Sequence, residues 1–109
     1  MNWIKLENPS QITDIKVKSG YSLIFKHSTR CSISMMAKKR VEMDADEIPS
    51  NVTPYFLDLI VHRDLSSQIA EVFQIHHESP QLLLIKDGEC ILDQSHGDIS
   101  IEEAFSELK

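Results

Sequence analysis

The sequence predicts an α/β fold, a mixed central sheet with a parallel core and a C-terminal antiparallel hairpin, with helices on both faces. Three observations predict it. Apolar strand-like runs alternate with helical-period segments along most of the chain, as parallel crossover units require. The run "YFLDLIVH" at 55–62 is almost continuously apolar, as strands covered on both faces are. Near the C-terminus, Lys86-Asp87-Gly88 separates two strand-like runs and signals a tight hairpin.

The elements follow in order. "WIKL" at 3–6 reads as a short strand, and 8–20 as a helix with Asn8 at the cap, Pro9 in the first turn and Gly20 closing it. "YSLIFKH" at 21–27 is a strand with a buried middle. Residues 31–43 have helical spacing, with Ile33, Met36, Ala37, Arg40 and Val41 near one side. After the strand at 55–62, residues 64–75 form a helix with Asp64 as N-cap and Leu65, Ile69, Val72 and Phe73 on one face. Strands at 81–88 and 89–95 make the hairpin. A terminal helix at 100–109 opens with Ser100, and Glu103 completes a capping box.

The chain of 109 residues is read as one domain spanning 1–109, long enough for one core. A net charge of −6 argues against nucleic acid, whose phosphates need a basic face, and against an anionic membrane surface. No apolar run approaches the ~18 residues of a membrane helix, and the N-terminus lacks a signal-peptide pattern. The expected location is the cytoplasm, where both cysteines, Cys31 and Cys90, are thiols at rest.

Cys31 sits where a strand ends and a helix begins, in the polar phrase "KHSTRCSIS". The first N–H groups of a helix are unpaired and carry partial positive charge, which stabilises a thiolate more than a thiol. Arg30 adjoins the sulfur, and Lys26 and His27 on the incoming strand can add positive potential. Ser34 lies one helical turn on, where its hydroxyl can donate to the sulfur. An ordinary thiol is only about 3% ionised at pH 7, and the thiolate is the form that attacks a disulfide. Pro80 immediately precedes a strand, a position that tolerates the missing N–H.

The phrases "FKHSTRCSIS", "YFLDLIVHRDLSSQIAEVF", "HHESPQLLLIKDGE" and "SHGDISIE" together resemble the YtxJ-like monothiol bacilliredoxins, over about residues 10–105. The resemblance implies a thioredoxin-like fold and a thiol-disulfide oxidoreductase that uses no bound cofactor. Its co-substrate would be a low-molecular-weight thiol, bacillithiol, and its partners S-thiolated client proteins. It implies that Cys31 is the attacking thiol and that Ser34 stands where dithiol relatives have a resolving cysteine. Pro80 would be a cis-proline facing Cys31, with Ser79 offering backbone groups to an extended substrate segment. Arg30, Ser32 and His77 complete the candidate substrate-binding set. The chain departs from the family pattern at Ser32, where proline is common, and at Gly97, where an aromatic is usual. Phe25 stands where dithiol thioredoxins carry a buried acid.

Two other readings of the chain differ in class. One is a non-catalytic thioredoxin-like module whose Cys31 is only reversibly capped. The other is an iron–sulfur cluster protein of the monothiol glutaredoxin kind. Cys90, within "ECILDQS", reads as a packed strand cysteine, with resolution of the mixed disulfide as the alternative. His76, His77 and Glu78 invite a metal site, but no second ligand pair has recognisable spacing, and no metal is expected. Met35 and Met36 are read as helix packing, and His62-Arg63-Asp64 as a strand-to-helix turn without chemistry.

Overall fold

The computed structural model describes residues 2–106. The elements are β1 (Ile4–Lys5), α1 (Pro9–Val17), β2 (Tyr21–His27), α2 (Ser32–Met43), β3 (Val52–Asp58), α3 (Arg63–Val72), β4 (Gln81–Lys86), β5 (Glu89–Ser95) and α4 (Ile101–Ala104). They form one five-stranded sheet in the order β1-β3-β2-β4-β5. β1, β3 and β2 run parallel, β4 is antiparallel to β2, and β5 is antiparallel to β4.

β2 is central because its sequence suits burial on both faces, and every residue from Ser22 to His27 is buried. Its side chains alternate between two cores. Leu23 and Phe25 pack with Ala37 and Val41 of α2 and with Ile101 and Ala104 of α4. Ile24 packs on the other face with Ile12 and Ile15 of α1 and with Leu65 and Ile69 of α3. Fully burying each such side chain contributes roughly 1.5–3 kcal/mol, so the period-2 alternation of β2 is what ties both helical layers to one sheet. Trp3, Phe25, Phe56 and His27 form an aromatic cluster on the α2 side, with Trp3 and Phe25 stacked at 6.0 Å.

The expected elements are present, with their ends moved. α1 stops at Val17 because Lys18 is already extended, and Gly20, at φ 89°, makes the turn into β2. Asn8 and Gln11 form a reciprocal capping box at its start. β3 begins at Val52 and ends at Asp58, so it starts three residues before the expected strand and includes Pro54. β1 pairs only with Tyr55 and Phe56, so next to Pro54 the strand still has a free edge. Leu59 and Ile60 leave the strand and turn towards α3, with Asp58 Oδ1 accepting the Ile60 N–H at 3.1 Å. His62, not Asp64, is the N-cap of α3. α2 is rotated from its expected phase: Ser34, Ala37 and Val41 face inward, while Ile33, Met35 and Met36 are 53%, 56% and 63% exposed.

The hairpin turn falls at Asp87 and Gly88, with φ of 50° and 81°. A Cβ on Gly88 would lie 2.0 Å from the Lys16 carbonyl oxygen, so both its backbone shape and its neighbour demand glycine. Ser100 caps α4 by accepting the Glu103 N–H. The end of the expected terminal helix, residues 107–109, lies outside the described residues.

Candidate functional site at the start of the second helix

After β2 the chain turns through Ser28, Thr29 and Arg30, and the Cys31 N–H closes the turn on the Ser28 carbonyl at 3.2 Å. Cys31 is the N-cap of α2, with extended backbone (φ −110°, ψ 121°) and its carbonyl accepting the Met35 N–H at 3.0 Å. No side chain caps this end of α2, so its first N–H groups are left on the side where the partly exposed thiol sits.

The Lys26–Gln81 pairing places the start of β4 beside the end of β2, which brings Ser79 and Pro80 to the corner carrying Cys31. The Ser79–Pro80 peptide is cis. Pro80 is buried and its carbonyl accepts the His96 N–H at 3.0 Å. Ser79 Oγ is buried without a hydrogen-bond partner among the described residues. The approach to this corner is held by Gln81, fully buried, whose amide donates to the His76 carbonyl at 3.0 Å and accepts the Glu78 N–H. In the sequence that role shows only as a polar residue opening an apolar strand.

Cys31, His77 and Ser79 line one cleft of about 870 Å³. Ser28 and the β3–α3 turn form one end, and Arg63, Ser66 and Glu71 of α3 form its far wall. The cleft therefore runs from the thiol along α3. Arg63, read from the sequence as an ordinary turn residue, is a cation in that wall. Arg30 and Ser32 are exposed at the corner and do not line the cleft.

Ser34 has a different role from the expected one. It is fully buried; its Oγ accepts the Ser28 N–H at 2.9 Å and lies 2.7 Å from His27 Nδ1. Among the described residues these two groups, and not the Cys31 sulfur, are the hydrogen-bond partners of the Ser34 hydroxyl. Ser34 thus fastens the first turn of α2 to the end of β2. His27 does not supply positive potential either. Burial, then the nearby Lys38, hold its imidazole below the ordinary range, against the opposing pull of Asp58, so it is neutral at pH 7.

Lys26 points to the opposite face of the sheet. It is fully buried, and its ammonium donates to His77 Nδ1 at 2.8 Å. The Ser66 hydroxyl reaches the same nitrogen at 3.2 Å. Burial pulls Lys26 down to about 8, partly offset by the Glu78 carboxylate. Burial and the Lys26 charge lower His77 as well. Glu78 lies between His76 and His96, at 3.6 and 3.4 Å. His77 Nδ1 is instead taken up by Lys26 and Ser66, and no cluster of metal-ligating side chains forms among the described residues.

Cys90 pairs with Ile85 at the far end of β4 from Gln81, ~13 Å along the strand from the Cys31 corner. It packs under the α1–α3 layer with its Sγ on the Leu92 carbonyl, and burial raises its pKa.

The family described as monothiol bacilliredoxin BrxC matches residues 4–104. Among solved structures, a candidate oxidoreductase with a thioredoxin fold is similar at 30% identity, with a TM-score of 0.83, over 97% of this chain and 93% of that one. A thioredoxin from Malassezia sympodialis is similar at 22% identity and a TM-score of 0.75, over 97% and 90% of the two chains. A thioredoxin variant from Halobacterium salinarum is similar at 18% identity and a TM-score of 0.64, over 96% and 85%. The last two show the thioredoxin fold alone.

Proposed function

The chain belongs to the monothiol bacilliredoxin family, and from that premise we propose that it removes a low-molecular-weight thiol, bacillithiol, from mixed disulfides on client proteins through Cys31. The observation that carries this reading is a partly exposed thiol at an uncapped helix start, opening on a cleft with room for a small thiol. No second cysteine lies within reach, since Cys90 is at the far end of the sheet.

The steps follow from that arrangement. The Cys31 thiolate attacks the small-thiol sulfur of the mixed disulfide. A bond forms between that sulfur and Cys31, and the client sulfur departs with the electron pair of the broken bond. The small thiol now occupies the cleft, joined to Cys31. A second small-thiol molecule attacks the outer sulfur, restores the Cys31 thiolate and carries the oxidising equivalent away as a symmetric disulfide. No bound cofactor takes part in this scheme. The exposed Ile33 and Met36 of α2 and the backbone of Ser79 are the surfaces a client segment meets.

The test is to incubate the protein with a client carrying bacillithiol on one cysteine and to follow both masses. The expected result is a freed client thiol and, in the absence of excess bacillithiol, a bacillithiol adduct on Cys31, both lost in Cys31→Ser. An adduct without turnover when bacillithiol is supplied would instead make the chain a thiol-capped binding module.

A further inference from the structure

Lys26 is a lysine fully buried in the central strand of the sheet, a placement that is rare without a paired charge. Among the described residues, its ammonium has one side-chain hydrogen-bond partner, His77 Nδ1 at 2.8 Å. Because Lys26 and the Ser66 hydroxyl both reach Nδ1, that nitrogen accepts, and the proton of the neutral ring is on Nε2. His77 itself is exposed and lines the cleft that Cys31 opens on, and Nε2 has no hydrogen-bond partner among the described residues. The result is a chain from a buried cation, through a ring, to a cleft where a thiolate is released. Apart from Ser66 of α3, the groups facing this pair are Glu78 and His76 of the loop before β4, and Arg63 and Glu71 lie along the cleft wall.

Resting on the reading of Cys31 given above, we propose that Lys26 and His77 form a proton relay for the exchange reaction, with His77 the catalytic residue that touches the leaving thiol and Lys26 the residue that positions and recharges it. As the client S–S bond breaks and its electron pair moves to the client sulfur, the His77 Nε2–H proton passes to that sulfur. Nδ1 takes a proton from the Lys26 ammonium at the same time. The ring remains neutral, Lys26 becomes an uncharged amine, and the client leaves as a thiol. In the second step the incoming small thiol gives its proton to Nε2, Nδ1 returns one to Lys26, and the relay is reset. Proton count and charge balance over the two steps, and no further reagent is needed. The match is favourable because Lys26 at about 8 lies close to an ordinary thiol near 8.5, where general acid–base transfer is efficient in both directions.

The experiment compares two mixed disulfides of bacillithiol in single turnover. One carries an alkyl thiol, which needs a proton to leave well. The other carries 5-thio-2-nitrobenzoate, an aromatic thiolate that leaves without one. Their rate ratio cancels the ionisation of Cys31, which both reactions share. The expected result is that the alkyl-to-aryl ratio drops about 100-fold in His77→Ala. In the native protein the ratio falls as pH rises through about 8. In Lys26→Met it is low and flat with pH. A native ratio retained in His77→Ala overturns the relay, and because His77 is exposed, that variant does not depend on refolding a core position. If the native protein releases neither thiol, the reading of Cys31 has failed instead.

Discussion

At the scale of single residues, Lys26 sets a conflict between stability and chemistry. An unfolded lysine keeps its proton to about pH 10.4, whereas the folded one gives it up at about 8. Below pH 8 both states are charged, and holding that charge inside the sheet costs about 3 kcal/mol. The cost disappears as pH climbs from about 8 to about 10, because the unfolded chain then binds more protons than the folded one. Lys26→Met is therefore expected to raise the urea midpoint at pH 7 and to remove the stability gain seen on going to pH 10. His27 acts with the same sign in a more acidic window. Its lowered pKa, caused first by burial, means that acid protonates the unfolded chain first, so stability falls as pH drops below about 6.5. Urea titrations between pH 7 and 5 check this, with His27→Gln expected to flatten the slope.

At the scale of elements, the start of α2 depends on one hydroxyl. Ser34→Ala leaves the buried Ser28 N–H and His27 Nδ1 without partners, and each buried unpaired group costs about 1–3 kcal/mol. The expected outcome is a loss of about 2–6 kcal/mol in chemical denaturation, with Cys31 still able to take up a small-thiol adduct in the mass assay. That separates holding the helix in place from taking part in exchange. The same element shows how far sequence reasoning reaches. Its existence and the place of Cys31 were legible from spacing and from the strand-to-helix corner. Its phase was not, because α2 carries apolar residues on its outer side, and Ile33 and Met36 look like core to a periodicity argument. For the same reason the alternation of β2 marked Lys26 as a strand residue without showing that it reaches α3 and His77. That contact spans 51 residues of sequence and follows from the order of the strands. Arg63 was missed because a lone arginine in a turn carries no pattern. Only the meeting of α3 with the β4 approach makes it part of a wall.

At the scale of the whole molecule, the antiparallel register of β4 decides what the two cysteines can do. It puts Pro80 at one end of the sheet with Cys31 and Cys90 at the other. Cys90→Ser is therefore expected to leave client release unchanged in rate, and an intramolecular Cys31–Cys90 disulfide is expected to be absent from peptide maps of the folded, oxidised protein. This topology was legible in outline, since alternating helices and strands with a Gly-bearing hairpin allow few arrangements. Strand ends were less so, because the apolar run continues through Leu59, Ile60 and Val61 after the pairing stops at Asp58.

The chain has one tryptophan, and it lies in the aromatic cluster that also contains His27. His27 in turn grips the hydroxyl of Ser34 three residues beyond the Cys31 sulfur. Indole emission from this protein thus comes from one side chain tied, through two rings and one hydrogen bond, to the first turn of the helix that bears the thiol. A small-thiol adduct on Cys31 is therefore expected to change the indole emission, which a fluorescence titration of the unlabelled protein would show.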